Sequence, residues 1–220
     1  MGTTLGIVCI LAGFAAAAAQ VAGRDRTHVT AKMTAATAYL GFAVALGAPA
    51  SSYGQWVLVA LAFSWLGDLF LTGGARRSFL LGLGSFLLAH IAYVVAFTVR
   101  GITPGAALLG GAVMAAVGAL VIRWLVRAGL PTGLRVPVLA YVGAIGLMVA
   151  LAAGAAWGPA TVTRGTPPSP APGVLAGAIL FAASDILVAR QRFVRPEPVN
   201  RLVGLPLYFT AQLLLAASVA

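Results

Sequence analysis

Eight apolar stretches, each about as long as a lipid bilayer is thick, dominate this chain. A bilayer core needs roughly 20 consecutive apolar residues per helix, with a range of about 17–25. Stretches of that kind run over 3–22, 33–50, 55–72, 78–99, 104–126, 136–157, 173–190 and 202–220. In lipid each backbone polar group must be satisfied within its own span, so such stretches fold as helices. The expected fold class is therefore all-α, a polytopic membrane protein of about eight transmembrane helices. Of the 220 residues, 61% are hydrophobic and 8% are charged, against about 25% charged in a soluble domain. Residues 1–220 read as a single integral membrane domain. Breakers separate the spans: Pro49 to Gly54, Gly73-Gly74, Gly101 to Pro104, Gly129 to Pro137 and Pro196 to Pro198.

The net charge of +10 raises the question of nucleic acid. The placement of the charges excludes it, because they fall between the spans in the pattern of the positive-inside rule. Of the fourteen Lys and Arg, twelve lie in alternate loops, between Arg24 and Lys32, at Arg76 and Arg77, from Arg123 to Arg135 and from Arg190 to Arg201. Only Arg100 and Arg164 lie on the other side. The twelve mark the cytoplasmic face, which puts both termini outside. The first charge, Arg24, follows the first apolar stretch, so 3–22 reads as a retained helix rather than a signal peptide. The loop from Gly158 to Pro172 is proline-rich and reads as an extended outer spacer. Cys9 is the sole cysteine, so there is no disulfide framework and no Cys-based metal site. Abundant Ala, Gly and Arg with one Lys suggest a GC-rich bacterial gene, and hence a bacterial cytoplasmic membrane. No feature of the sequence sets an oligomeric state.

Four acidic residues are present, and two lie inside apolar spans: Asp68 in FSWLGDLFL and Asp185 in FAASDILVA. A carboxylate at membrane depth costs roughly 2.5–3.5 kcal/mol on insertion scales, and such a residue is a functional-site candidate by default. The two are 117 residues apart, near half the chain, in similar surroundings on the third and seventh spans. This suggests a 4+4 parallel repeat. Each carboxylate is expected roughly 6–8 Å inside the cytoplasmic end of its helix. Other polar groups fall at nearby depth. His90 and Tyr93 share a face of the fourth span, Tyr208 and Gln212 share a face of the eighth, and Ser64 lies one turn before Asp68. A polar pocket open to the inner leaflet or cytoplasm is the simplest packing that satisfies all of them. Each also has a plain alternative. Either aspartate can pair with Arg76 or Arg190, His90 and Gln212 can join helices, and Tyr208 can be an interfacial anchor. Lys32 and Arg201 are topology signals that also stand where a lipid phosphate would meet them.

Four stretches together resemble the YhhN family of membrane proteins, whose eukaryotic relatives are lysoplasmalogenases. They are Gly67-Asp68-Leu69-Phe70-Leu71, the run Gly82-x3-Phe86-x3-His90-x2-Tyr93, Ser184-Asp185-Ile186-Leu187-Val188-Ala189, and Tyr208-x2-Ala211-Gln212. One departure is visible: the family often opens the second helix with Lys-Pro, and here Met33 follows Lys32. The resemblance implies hydrolysis of the vinyl ether bond of a lysoplasmalogen, with a lysophospholipid substrate drawn from membrane lipids, and no cofactor or metal. It also implies Asp68 and Asp185 as the catalytic pair. Ser64, His90, Tyr93, Ser184, Tyr208, Gln212 and Lys32 would then hold substrate, water or the carboxylates. The chemistry suits two acids. A vinyl ether is cleaved by protonation at its β-carbon, which gives an oxocarbenium ion that water then attacks. One carboxyl must hold a proton, which a low-dielectric site favours, and one must stay ionised. The same division of labour serves glycoside hydrolysis. Either aspartate can take either role at this level.

Two other readings share these aspartates. An intramembrane aspartyl protease would carry Gly-x-Gly-Asp, a Tyr-Asp on the preceding helix and a Pro-Ala-Leu run. Here the sites read Trp65-Leu66-Gly67-Asp68 and Ser184-Asp185, four spans apart, and Pro-Ala-Leu is absent. A proton-coupled transporter would also use intramembrane Asp and His. No span has the central Gly/Pro break with flanking polar ligands that such a site favours.

Overall fold

The structure is a computed structural model and describes residues 1–157 and 171–220. The expected outer spacer therefore lies almost wholly outside the described residues. Among those described there are eight α-helices and no strand: α1 (Gly2–Val21), α2 (Asp25–Ala45), α3 (Ser52–Leu71), α4 (Arg76–Arg100), α5 (Pro104–Arg127), α6 (Thr132–Ala156), α7 (Pro172–Ala189) and α8 (Pro198–Ala217). Seven are long and apolar enough to cross a membrane, the exception being α2. Large apolar side chains face outward, including Leu108, Leu120 and Val136. With seven apolar spans and that surface, the chain is an integral membrane protein.

Helix ends follow local chemistry. Proline opens α5, α7 and α8, where its missing N–H costs nothing. Ser51 caps α3, its hydroxyl accepting from the Gly54 amide at 3.0 Å. The second helix corrects the expected 33–50. It begins at Asp25, because Lys32 and His28 turn inward and are buried. It stops at Ala45, because Gly47 adopts φ 86°, a left-handed backbone suited to glycine. The sixth helix begins at Thr132, four residues before the expected 136, with Pro137 inside it. α7 continues past Ala189 as a π-helical turn, Arg190–Val194. α8 begins at Pro198 rather than 202.

The helices pack as four antiparallel hairpins, α1–α2, α3–α4, α5–α6 and α7–α8. Seven of them close a ring in the order α1, α2, α3, α4, α6, α7, α8, with α2 and α8 also touching across it. Shifting every helix by four maps α1–α2 onto α5–α6, α2–α3 onto α6–α7, α3–α4 onto α7–α8 and α4–α6 onto α8–α2. The packing thus follows the 4+4 pattern in these pairs. The symmetry breaks at α5. Its counterpart α1 lies against α8, whereas α5 packs substantially only on α6. Small residues set that contact: a Cβ built on Gly110 would stand 3.0 Å from the Ala153 methyl. Because α5 stands out from the ring, a trough runs between α5 and α7 over α6.

The centre of the ring is aromatic. Tyr39, Tyr93, Phe181 and Phe209 are fully buried, and Phe86 and Tyr208 nearly so. A Cβ on Gly67 would meet the Phe86 ring at 2.6 Å, so glycine beside Asp68 is what lets α4 bring that ring against α3.

Candidate active site

Asp68 lies one turn before the end of α3, on the face turned into the ring. Its side chain is 2% exposed and its Oδ1 is 3.1 Å from Lys32 Nζ. The same ammonium donates to the Asp68 carbonyl at 3.1 Å. Tyr208 OH donates to Oδ2 at 2.7 Å, and Tyr39 OH donates to that oxygen at 3.3 Å. A buried carboxylate is tolerated when paired and hydrogen-bonded in this way. Asp68 thus pairs with Lys32 rather than with Arg76 of its own loop.

Asp185 stands three turns into α7 and keeps different company. Tyr141 OH of α6 donates to its Oδ2 at 3.1 Å, and His90 Nε2 of α4 lies 3.4 Å from the same oxygen. No Lys or Arg pairs with it among the described residues. Arg190, on the next turn, is engaged by Glu197 at 2.6 Å and by Asn200. The His90 ring is oriented from its other side, where Nδ1 lies 2.6 Å from the Phe86 carbonyl. A carbonyl only accepts, so Nδ1 carries the hydrogen. Nε2 is then the atom free to exchange a proton with Asp185.

Three rings, His90, Phe181 and Tyr208, form a chain of contacts from Asp185 to Asp68. Phe181 packs on His90 at 4.6 Å between centroids and on Tyr208 at 5.4 Å. Phe86 lies against Tyr208 at 5.8 Å. Both aspartates line one cavity of about 990 Å³, together with Ser184, Tyr208 and Lys32. Most of its wall is aliphatic and belongs to the α5–α6–α7 trough, for instance Val113, Val117, Ile145 and Ile179.

The remaining candidates do not line this cavity. Ser64, His90, Tyr93 and Gln212 are buried behind it. Tyr93 OH donates to Gln212 Oε1 at 2.7 Å, and His90 reaches Asp185 from behind the wall. Ser184 Oγ donates to the Phe181 carbonyl at 2.8 Å within its own helix. The expected single polar pocket is therefore two layers, a pair of acids on the cavity wall and a buried set of hydrogen-bonding groups behind it. Sequence reasoning missed Tyr39, Tyr141 and Phe181. The available signal was tyrosine deep inside an apolar span, away from the interfaces where Tyr is common.

Among the described residues no His, Cys, Asp or Glu cluster could hold a metal ion. The YhhN family profile matches residues 27–219, a range that contains every side chain described above. The chain belongs to the YhhN family. Bovine lysoplasmalogenase TMEM86A is 32% identical over 168 residues, which cover 74% of this chain and 64% of that relative. Human lysoplasmalogenase TMEM86B is 34% identical over 170 residues, covering 77% and 66%. This YhhN chain thus spans about two thirds of the length of the curated relatives it matches. No solved structure matches it.

Proposed function

We propose that this YhhN protein hydrolyses the vinyl ether bond of lysoplasmalogens, releasing a fatty aldehyde and a glycerophospho-base. The observation that carries this reading is the pair of aspartates, one buried and one part-buried, on one apolar cavity, each with a distinct set of partners. The names of the relatives support the substrate class.

The unequal surroundings divide the roles. Asp185, with no Lys or Arg as partner among the described residues and with His90 Nε2 beside it, takes the part of the acid. It gives its proton to the β-carbon of the vinyl ether, whose π electrons form the new C–H bond. The charge appears as an oxocarbenium ion at the ether carbon and oxygen. Asp68, paired with Lys32 and accepting from Tyr208, stabilises that cation and takes a proton from the water that adds to it. The hemiacetal then loses its hydroxyl proton as the bond to the glycerol oxygen breaks, and that oxygen is protonated. His90 Nε2, 3.4 Å from Asp185, holds or returns the proton between turnovers. Preorganised charges and dipoles aimed at where charge develops, here a carboxylate facing a cation, are the usual source of most of the rate. The aliphatic trough takes the hydrocarbon chain, which there finds surroundings as apolar as the lipid it leaves.

The distribution of Lys and Arg supports an active site toward the cytoplasmic side, with both termini outside. The composition supports a bacterial cytoplasmic membrane.

The test is aldehyde release by purified protein in detergent, from a lysoplasmalogen and from its saturated 1-O-alkyl analogue. The account expects aldehyde from the first alone, because a saturated ether has no carbon to protonate. No aldehyde from folded protein across several head groups would sink it and favour proton-coupled transport.

A further inference from the structure

We propose that Arg201 and Arg192 form a phosphate-binding mouth at the inner end of the cavity, which orients a lysophospholipid with its vinyl ether at the aspartates. This rests on the vinyl-ether reading for its purpose, not for its geometry.

The cations near that end are not equivalent. Lys32 is neutralised by Asp68. Arg190 and Arg195 both pair with Glu197, at 2.6 and 2.8 Å. Arg192 lies over the Phe79 ring, at 4.8 Å, and has no acid as partner among the described residues. Arg201 has no ion pair among the described residues. These two arginines, with His28, line the same cavity as Asp68 and Asp185. The His28 ring is fixed by a 2.9 Å hydrogen bond from Nδ1 to the Ala16 carbonyl. An apolar cavity walled at one end by two unneutralised guanidinium groups fits an amphiphile with an anionic head. Guanidinium binds phosphate oxygens through paired, charge-assisted hydrogen bonds.

The spacing agrees. Arg201 precedes Tyr208, the partner of Asp68, by seven residues, and Arg192 follows Asp185 by seven. Each offset is about 10 Å along a helix at about 1.5 Å per residue. In a lysoplasmalogen seven bonds separate the β-carbon from phosphorus, about 8 Å in an extended chain. A phosphate at the arginines therefore brings the vinyl ether to the carboxylates and leaves the hydrocarbon to the trough.

Binding to the purified protein tests this without turnover. The ligands are a 1-O-alkyl lysophosphatidylcholine and the matching phosphate-free alkylglycerol, titrated against wild type, Arg201→Gln, Arg192→Gln and the exposed control Arg123→Gln. Wild type and control are expected to prefer the phosphorylated lipid. Each cavity variant is expected to lose roughly tenfold of that preference, with alkylglycerol affinity unchanged. Equal affinity of wild type for the two lipids, or an undiminished preference in both cavity variants, overturns the site. Inorganic phosphate is expected not to displace the lipid at matched concentration. Displacement would make this a free-anion site and overturn the lipid assignment. Aldehyde release in the same preparations scores the vinyl-ether reading separately: its absence, with the preference intact, would sink that reading and leave the phosphate site standing.

Discussion

Lys32 is the cation that faces Asp68, 3.1 Å from its Oδ1. A buried ion pair contributes little net stability over apolar groups, but removing one partner strands the other charge, at a cost of about 3–5 kcal/mol. Lys32→Ala is therefore expected to lower unfolding stability by that order and to abolish activity. The double variant Lys32→Met/Asp68→Asn is expected to recover most of the stability and none of the activity. Thermal unfolding in detergent checks both, and a Lys32→Ala variant as stable as wild type would mean that the pair is not formed. At this scale the sequence singled out the two aspartates, because a carboxylate in an apolar span is costly and two stand in similar surroundings. It did not expose their partners. Lys32 reads as a loop charge until helix α2 is seen to begin at Asp25 and carry it inward. Tyr39 and Tyr141 are ordinary apolar-span residues until a neighbouring helix brings a carboxylate to them.

At the scale of the element, the eight helices were legible because hydropathy and the breakers between spans are local signals. Their ends were less so. Pro137 reads as a turn residue but sits in the second turn of α6, and the π-helical turn after α7 has no sequence signature. The close approach of α3 and α4 rests on Gly67, where any side chain meets Phe86. Overpacking of this kind typically costs about 1–3 kcal/mol. Gly67→Val is expected to destabilise the protein by that amount and to displace the ring that packs on Tyr208. Activity should fall further than stability explains, which the ratio of aldehyde release to folded fraction measures. A variant with normal turnover per folded molecule would remove Phe86 from the site's support.

At the scale of the molecule, the near-repeat of four helices places Asp68 and Asp185 on corresponding helices, α3 and α7, and the sequence hinted at this through their spacing. What the sequence could not show is where the repeat fails. Among the described residues α5 packs substantially only on α6, and the apolar trough beside α7 follows from that one displacement. The trough joins both carboxylates, on helices distant in sequence, to one apolar cavity, which the proposed reaction uses for the lipid chain. The central claim is that these two aspartates divide acid and cation-stabilising work on one substrate. Aldehyde release from a lysoplasmalogen by Asp185→Asn and Asp68→Asn, each checked for wild-type helix content and unfolding behaviour, tests it most directly. The account predicts that each folded variant loses at least about 100-fold in rate, the usual contribution of a positioned acid or base. A folded variant of either kind that keeps its rate within a few-fold of wild type would contradict it.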